Sequence, residues 1–206
     1  GVAHFNKDRM LIEILEGKVL GTKLADSQVG IPDFNSKPPK YLVIKANAQG
    51  PLRDILDHIN YKKKSGKAFD KYFKGGIARS KIYIKLPLTK NLILKDVEMK
   101  ADAKVGNVNS KFVRSNSGFD VEFLKEPNKD DLNVGINFKD SYLSAHMIGF
   151  YKKVGEEAKL IAHIVAPHKR SVVLKNIQLS GKDFDFKLNG RLGLRSQRVE
   201  SFRTQK

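Results

Sequence analysis

Asp96 to Val105 reads D-V-E-M-K-A-D-A-K-V, and its strict period of two decides the fold class. Val97, Met99, Ala101, Ala103 and Val105 fall on one side of an extended chain. Asp96, Glu98, Lys100, Asp102 and Lys104 fall on the other. A helix, at 3.6 residues per turn, would mix the two sets around its circumference, whereas a strand separates them.

The same alternation spreads outward in both directions. Ile82, Ile84 and Leu86 share a face before Pro87, and Leu132, Val134, Ile136 and Phe138 share another. Leu160, Ala162 and Ile164 repeat the pattern, as do Phe184, Phe186 and Leu188. Strands are predicted near 10–20, 41–49, 77–86, 92–105, 119–125, 131–138, 141–150, 158–166, 170–180 and 183–194. Turn formers such as Ser115-Asn116-Ser117-Gly118 and Pro127-Asn128-Lys129-Asp130 separate several of them. With no βαβ alternation, a parallel α/β enzyme is not expected. The expected fold is mainly β: an elongated, curved antiparallel sheet, able to form a groove or a taco-like open barrel. One segment departs from period two. Pro51 follows Gly50 where a first helical residue tolerates it, and Leu52, Ile55, Leu56 and Ile59 recur at helical spacing. A short amphipathic helix is predicted near 51–62.

The 206 residues are read as a single segment, 1–206, with a possible sub-boundary near 166–171. Without cysteine there is no disulfide, thiolate nucleophile or Cys-ligated zinc. No stretch approaches the roughly 20 apolar residues of a membrane helix. The formal net charge of +17 invites a nucleic-acid reading. Its excess is mostly lysine rather than arginine, which fits solvated faces or attraction to anionic lipid instead.

Chemistry-bearing constellations are scarce. His4, His58, His146, His163 and His168 form no H-x-H or H-x-x-x-H pair, so no metal site is expected. His146 and His163 lie in predicted strands and read as hydrogen-bonded structural residues. Asp183 and Asp185 read as a solvated strand face. Gly75-Gly76 lacks a phosphate loop's downstream Gly-Lys-Ser/Thr, and no G-x-S-x-G elbow occurs. No enzyme activity and no cofactor are expected. The basic cluster Lys62, Lys63, Lys64, Lys67, Lys71 and Lys74 is interleaved with Tyr61, Phe69, Tyr72 and Phe73. Such a run can stack and neutralise a single strand of nucleic acid, or it can be a connector docking its rings into the core.

Three motifs carry a family resemblance. G-P-L-R-D-I-L-D-H-I, Gly50 to Ile59, follows a strand. G-I-A-R-S-K-I-Y-I-K-L-P-L, Gly76 to Leu88, ends in a Pro-Leu pair. K-N-L-I-L-K-D-V-E-M-K-A-D-A-K-V, Lys90 to Val105, comes next with its Asp-Val step. In order and spacing they resemble the large bacterial envelope proteins of the AsmA-like group, particularly its YhdP-type family. Glu16 to Leu20, Val29 to Pro32 and the stretch N-I-Q-L-S-G-K-D-F-D-F-K-L-N-G-R-L near the end fit the same pattern. Residues 107–131 match poorly, and Lys62-Lys63-Lys64 is more basic than the usual post-helix segment.

The resemblance implies a section of a longer periplasmic protein anchored in the inner membrane by parts not in this chain. It also implies a phospholipid or other acyl-chain ligand carried along an apolar β-lined groove toward the outer membrane. The groove candidates are Ile82, Ile84, Leu86, Val97, Met99, Ala101, Ala103, Val105, Val134, Ile136 and Phe138, with Ala101 and Ala103 leaving room for a chain. The same apolar faces could instead close on each other as a sandwich core. An envelope scaffold recruiting partners through its sheet edges and a basic nucleic-acid-binding module are the competing readings.

Overall fold

The computed structural model describes residues 1–19, 21–52, 54, 73–110, 114–115, 118–145, 150–168, 171–193 and 199–205. In chain order its strands begin with β1 (Val2–Phe5), β2 (Met10–Val19), β3 (Thr22–Ile31), β4 (Tyr41–Pro51), β5 (Phe73–Lys74) and β6 (Ile77–Pro87). Next come β7 (Glu98–Gly106), β8 (Val108–Ser110), β9 (Arg114–Ser115), β10 (Phe119–Lys125) and β11 (Asp131–Asn137). The last six are β12 (Leu143–Ala145), β13 (Phe150–Lys152), β14 (Ala158–His168), β15 (Ser171–Gly181), β16 (Phe184–Gly193) and β17 (Val199–Gln205).

Twelve of these strands build one sheet in the order β1-β2-β3-β4-β6-β7-β10-β11-β14-β15-β16-β17. This is an up-and-down meander that does not close into a barrel. At about 4.8 Å per strand it extends about 50 Å across. The ladder runs on through the β14–β15 hairpin, where the sub-boundary near 166–171 was expected. Three connections leave the meander at one end of the strands: β4 to β6, β7 to β10, and β11 to β14. Their short strands meet as a second sheet of five, in the order β13-β12-β9-β8-β5.

That small sheet packs on one face of the large one. Val108 of β8 meets Ala78 and Val105. Leu143 of β12 meets Phe138 and Ala158, with Phe150 of β13 beside them. A ring contact ties the layers, Phe150 of β13 standing edge-on to Phe184 of β16 at 5.0 Å, and within the large sheet Phe119 is tilted on Phe138 at 5.3 Å. Among the described residues the chain is thus a two-layer sandwich at one end of its strands and a single sheet at the other.

Bulges interrupt the large sheet between Ala25 and Gln28 of β3 and between Leu174 and Ile177 of β15. Each holds a residue with positive φ, Asp26 at 44° and Asn176 at 49°. Asp and Asn tolerate that conformation better than other side chains, and a bulge of this kind bends and twists its strand. Gly30 marks a close approach of two strands, because a Cβ there would lie 2.3 Å from the Met10 carbonyl oxygen.

Some predicted boundaries differ. The strand expected over 92–105 starts at Glu98, and a 3-10 turn at Leu94–Asp96 precedes it. Val97 therefore sits ahead of the strand, buried behind that turn. The strand expected over 141–150 is two short ones, β12 and β13. Pro51 is the last residue of β4, paired with Ile77, rather than the first of a helix. Leu52 and Asp54 are helical, and the rest of the expected 51–62 helix lies outside the described residues. β3 is a strand that periodicity passed over, since the bulge at Asp26 breaks its alternation into two halves.

Candidate functional site

Residues directly opposite each other on paired strands share a face, so the strand registers assemble the large sheet's surface row by row. One row runs Ala46, Ile82, Ala101, Phe123, Val134, Ala162 from β4 to β14. A second runs Leu24, Ala48, Ser80, Ala103, Val121, Ile136, Leu160, Leu179 from β3 to β15. A third runs Ile12, Val29, Ile44, Ile84, Met99 and ends on Lys125. Strands far apart in sequence thus combine their apolar sides into one continuous face.

All eleven predicted groove residues belong to this face or its ends, but they are not equally available. Val105 and Phe138 are buried beneath the small sheet, and Val97 is buried behind the 3-10 turn. Ala103 and Ile136 lie at the margin of the covered part. Ile82, Ile84, Leu86, Met99, Ala101 and Val134 are half-buried. Ala101 stands between Ile82 and Phe123, a low point between bulkier residues.

The opposite face is polar and holds a concavity of about 1070 Å³. Five basic and four acidic side chains line it, among them Arg79, Lys81, Asp102, Lys104, Asp120 and Glu122. With the two signs so nearly balanced, the concavity selects neither an anion nor a cation. The sequence expectation put the trough on the apolar face. The concavity lies on the charged face of the bulged and twisted sheet.

Two buried lysines escaped the sequence reading. Lys152, 1% exposed, ends β13 and donates to the carbonyls of Lys139 (3.2 Å), Ser141 (2.7 Å) and Lys153 (2.8 Å). Lys125, 3% exposed, ends β10 and donates to those of Lys95 (3.2 Å), Val97 (3.3 Å) and Glu126 (2.6 Å). Each ammonium meets three backbone oxygens, matching its three donors. Burial is the main cause that lowers both lysines' proton affinity, and nearby carboxylates oppose it. A signal for Lys125 existed: it lies two residues beyond Phe123, where the alternation calls for an apolar side chain.

His163 is hydrogen-bonded as expected, its Nε2 lying 2.8 Å from Asp131 Oδ2. That bond is the main reason the Asp131 carboxyl is held below the usual carboxylate range. Asp185 accepts from Gln178 Nε2 at 2.8 Å and pairs with Lys187 at 3.4 Å. Asp183 is exposed. Among the described residues no group of His and carboxylates could hold a metal ion. His146 and the basic run Lys62, Lys63, Lys64, Lys67 and Lys71 lie outside the described residues. Lys74 is placed only through its backbone, paired with Asn109. No family model matches the chain, and neither the curated proteins nor the solved structures contain a significant match to it.

Proposed function

We propose that this chain binds acyl lipid along the uncovered part of its apolar face and serves as a section of a lipid conduit in the cell envelope. The observation that carries the reading is the half-buried state of Ile82, Ile84, Leu86, Met99, Ala101 and Val134 in continuous cross-strand rows. A packed second layer would have covered them. A hydrocarbon tail laid across these rows gains roughly 0.8 kcal/mol per buried CH₂, so it is held without any specific polar contact. The rows cross strands at the same level, giving a tail a path perpendicular to the strand direction. The sequence resemblance supplies the setting: a periplasmic section of an inner-membrane-anchored protein, moving phospholipid between the two membranes.

The test is lipid extraction and mass spectrometry of the purified protein beside its Ala101→Arg variant. Arginine there raises a charged side chain in the lowest part of the lane, next to Ile82 and Phe123. The variant should lose co-purifying lipid while its circular dichroism stays that of the parent. Equal lipid content in the two proteins would refute the placement. A second reading, strand addition at the sheet edge, is favoured by the shortness of β1. Its four residues pair only with Met10–Glu13 of β2, so among the described residues no strand pairs with the outer edge of β2 from Leu15 to Lys18. A protein partner retained by lipid-free material would favour that reading.

A further inference from the structure

The loop joining β6 to β7 displays apolar side chains to solvent. It reads Leu88-Thr89-Lys90-Asn91-Leu92-Ile93-Leu94-Lys95. Leu88 is 48% exposed, Leu92 49% and Ile93 54%, while Val97 just beyond is 4% exposed. Their exposure is not the result of a loose connection. The Leu88 N–H donates to the Lys40 carbonyl at 2.7 Å, and the Asp96 N–H closes the turn onto the Ile93 carbonyl at 3.1 Å. The Lys95 carbonyl accepts from both the Asn128 N–H (2.8 Å) and the Lys125 ammonium, which also holds the Val97 carbonyl. Both feet of the loop are thus fastened to neighbouring connections, and its crown is presented outward.

The charges on that crown have one sign. Lys90 and Lys95 are exposed and Leu88 to Lys95 contains no carboxylate. Behind it, Asp96 is half-buried and Glu98 is paired with Lys100 at 3.0 Å. Phe5, 67% exposed and followed by Lys7 and Arg9, lies at the same end of the strands. We propose that the 88–95 loop docks this end of the sheet onto an anionic lipid bilayer, with Leu88, Leu92 and Ile93 entering the interface and Lys90 and Lys95 meeting phosphate headgroups. Three aliphatic side chains fall far short of the roughly 800 Å² per partner of a standard protein interface. A bilayer surface needs no matching shape, and it favours this pairing of apolar insertion with flanking cations. Docking goes beyond the lipid-lane reading and does not depend on it.

The experiment is flotation with vesicles of phosphatidylcholine containing a minority of phosphatidylglycerol, run against pure phosphatidylcholine. The wild type should float with the anionic vesicles. The double variant Leu92→Ser/Ile93→Ser, altered only at exposed positions, should bind about tenfold more weakly or worse, since each side chain contributes its transfer from water. Lys90→Glu should weaken binding to the anionic vesicles as well. If the Ser variants float like the wild type, adsorption comes from the net charge of the whole chain and the loop is not a dock. A loop-dependent dimer in light scattering, dissolved by Leu92→Ser/Ile93→Ser without a change in flotation, would overturn the proposal in favour of a second copy. Ala101→Arg, which empties the lane, should still float, so the two readings fail separately.

Discussion

Replacing Lys152 with methionine should lower stability by about 2 kcal/mol, and the contacts of its ammonium show where that figure comes from. Methionine fills much of the same volume and removes the cost of dehydrating a charge, which works in the variant's favour. Against this, three carbonyls lose a donor. The Lys139 carbonyl keeps a partner, because it also accepts from the Gly155 N–H at 2.8 Å. The Lys153 carbonyl also keeps a partner, the Glu156 N–H at 3.4 Å. Ser141, by contrast, is fully buried, and its carbonyl is left with nothing in place of the 2.7 Å ammonium bond. One buried unsatisfied acceptor costs about 1–3 kcal/mol, and for a chain of this size about 2 kcal/mol lowers the melting temperature by about 4–8 °C. Urea and thermal unfolding at neutral pH, with exposed Lys153→Met as the control, measures this directly. The pH dependence has a definite sign as well. Burial lowers the proton affinity of Lys152, so the unfolded chain holds more protons in the window just below the ordinary lysine value. Stability from this group therefore rises with pH through that window. The gap between wild type and variant should be flat at lower pH and widen on entering it. A methionine variant as stable as the wild type would mean that dehydration of the ammonium cancels its three bonds, and that the cage fastens nothing.

Two further outcomes follow from groups with unusual surroundings. The Ser80 hydroxyl is buried in the apolar row between Ala48 and Ala103 and has no hydrogen-bond partner among the described residues. Ser80→Ala should therefore raise stability by about 1 kcal/mol, and a lowered melting temperature would contradict the unpaired state of that hydroxyl. The His163 bond holds the Asp131 carboxyl below its unfolded value of 3.8, so its contribution is present above that pH and disappears as pH falls through the folded value. Urea midpoints of wild type and Asp131→Asn should differ at neutral pH and converge in acid, and a gap independent of pH would rule out the linkage.

The local period was legible from the residues alone. Glu98 to Val105 had to be extended, because only an extended chain separates those side chains by polarity, and the same holds for Ile82 to Leu86 and Leu132 to Asn137. The identity of each strand's apolar side was equally legible, and cross-strand pairing then joined Ile82, Ala101 and Val134 into one row. Periodicity was silent where the backbone steps out of register, as at Asp26 in β3, or where a strand is only two or three residues long.

Which part of the apolar face is covered depends on contacts between segments distant in sequence. The small sheet is assembled from three connections that are distant in sequence, and no local pattern in any one of them announces that they meet. Val105 and Met99 look alike along β7, yet Val105 is buried against Val108 while Met99 stays half-open. The placement of Lys125 and Lys152 has the same origin. Residues near in sequence can supply one carbonyl to an ammonium, but the other two arrive from turns brought alongside by the fold.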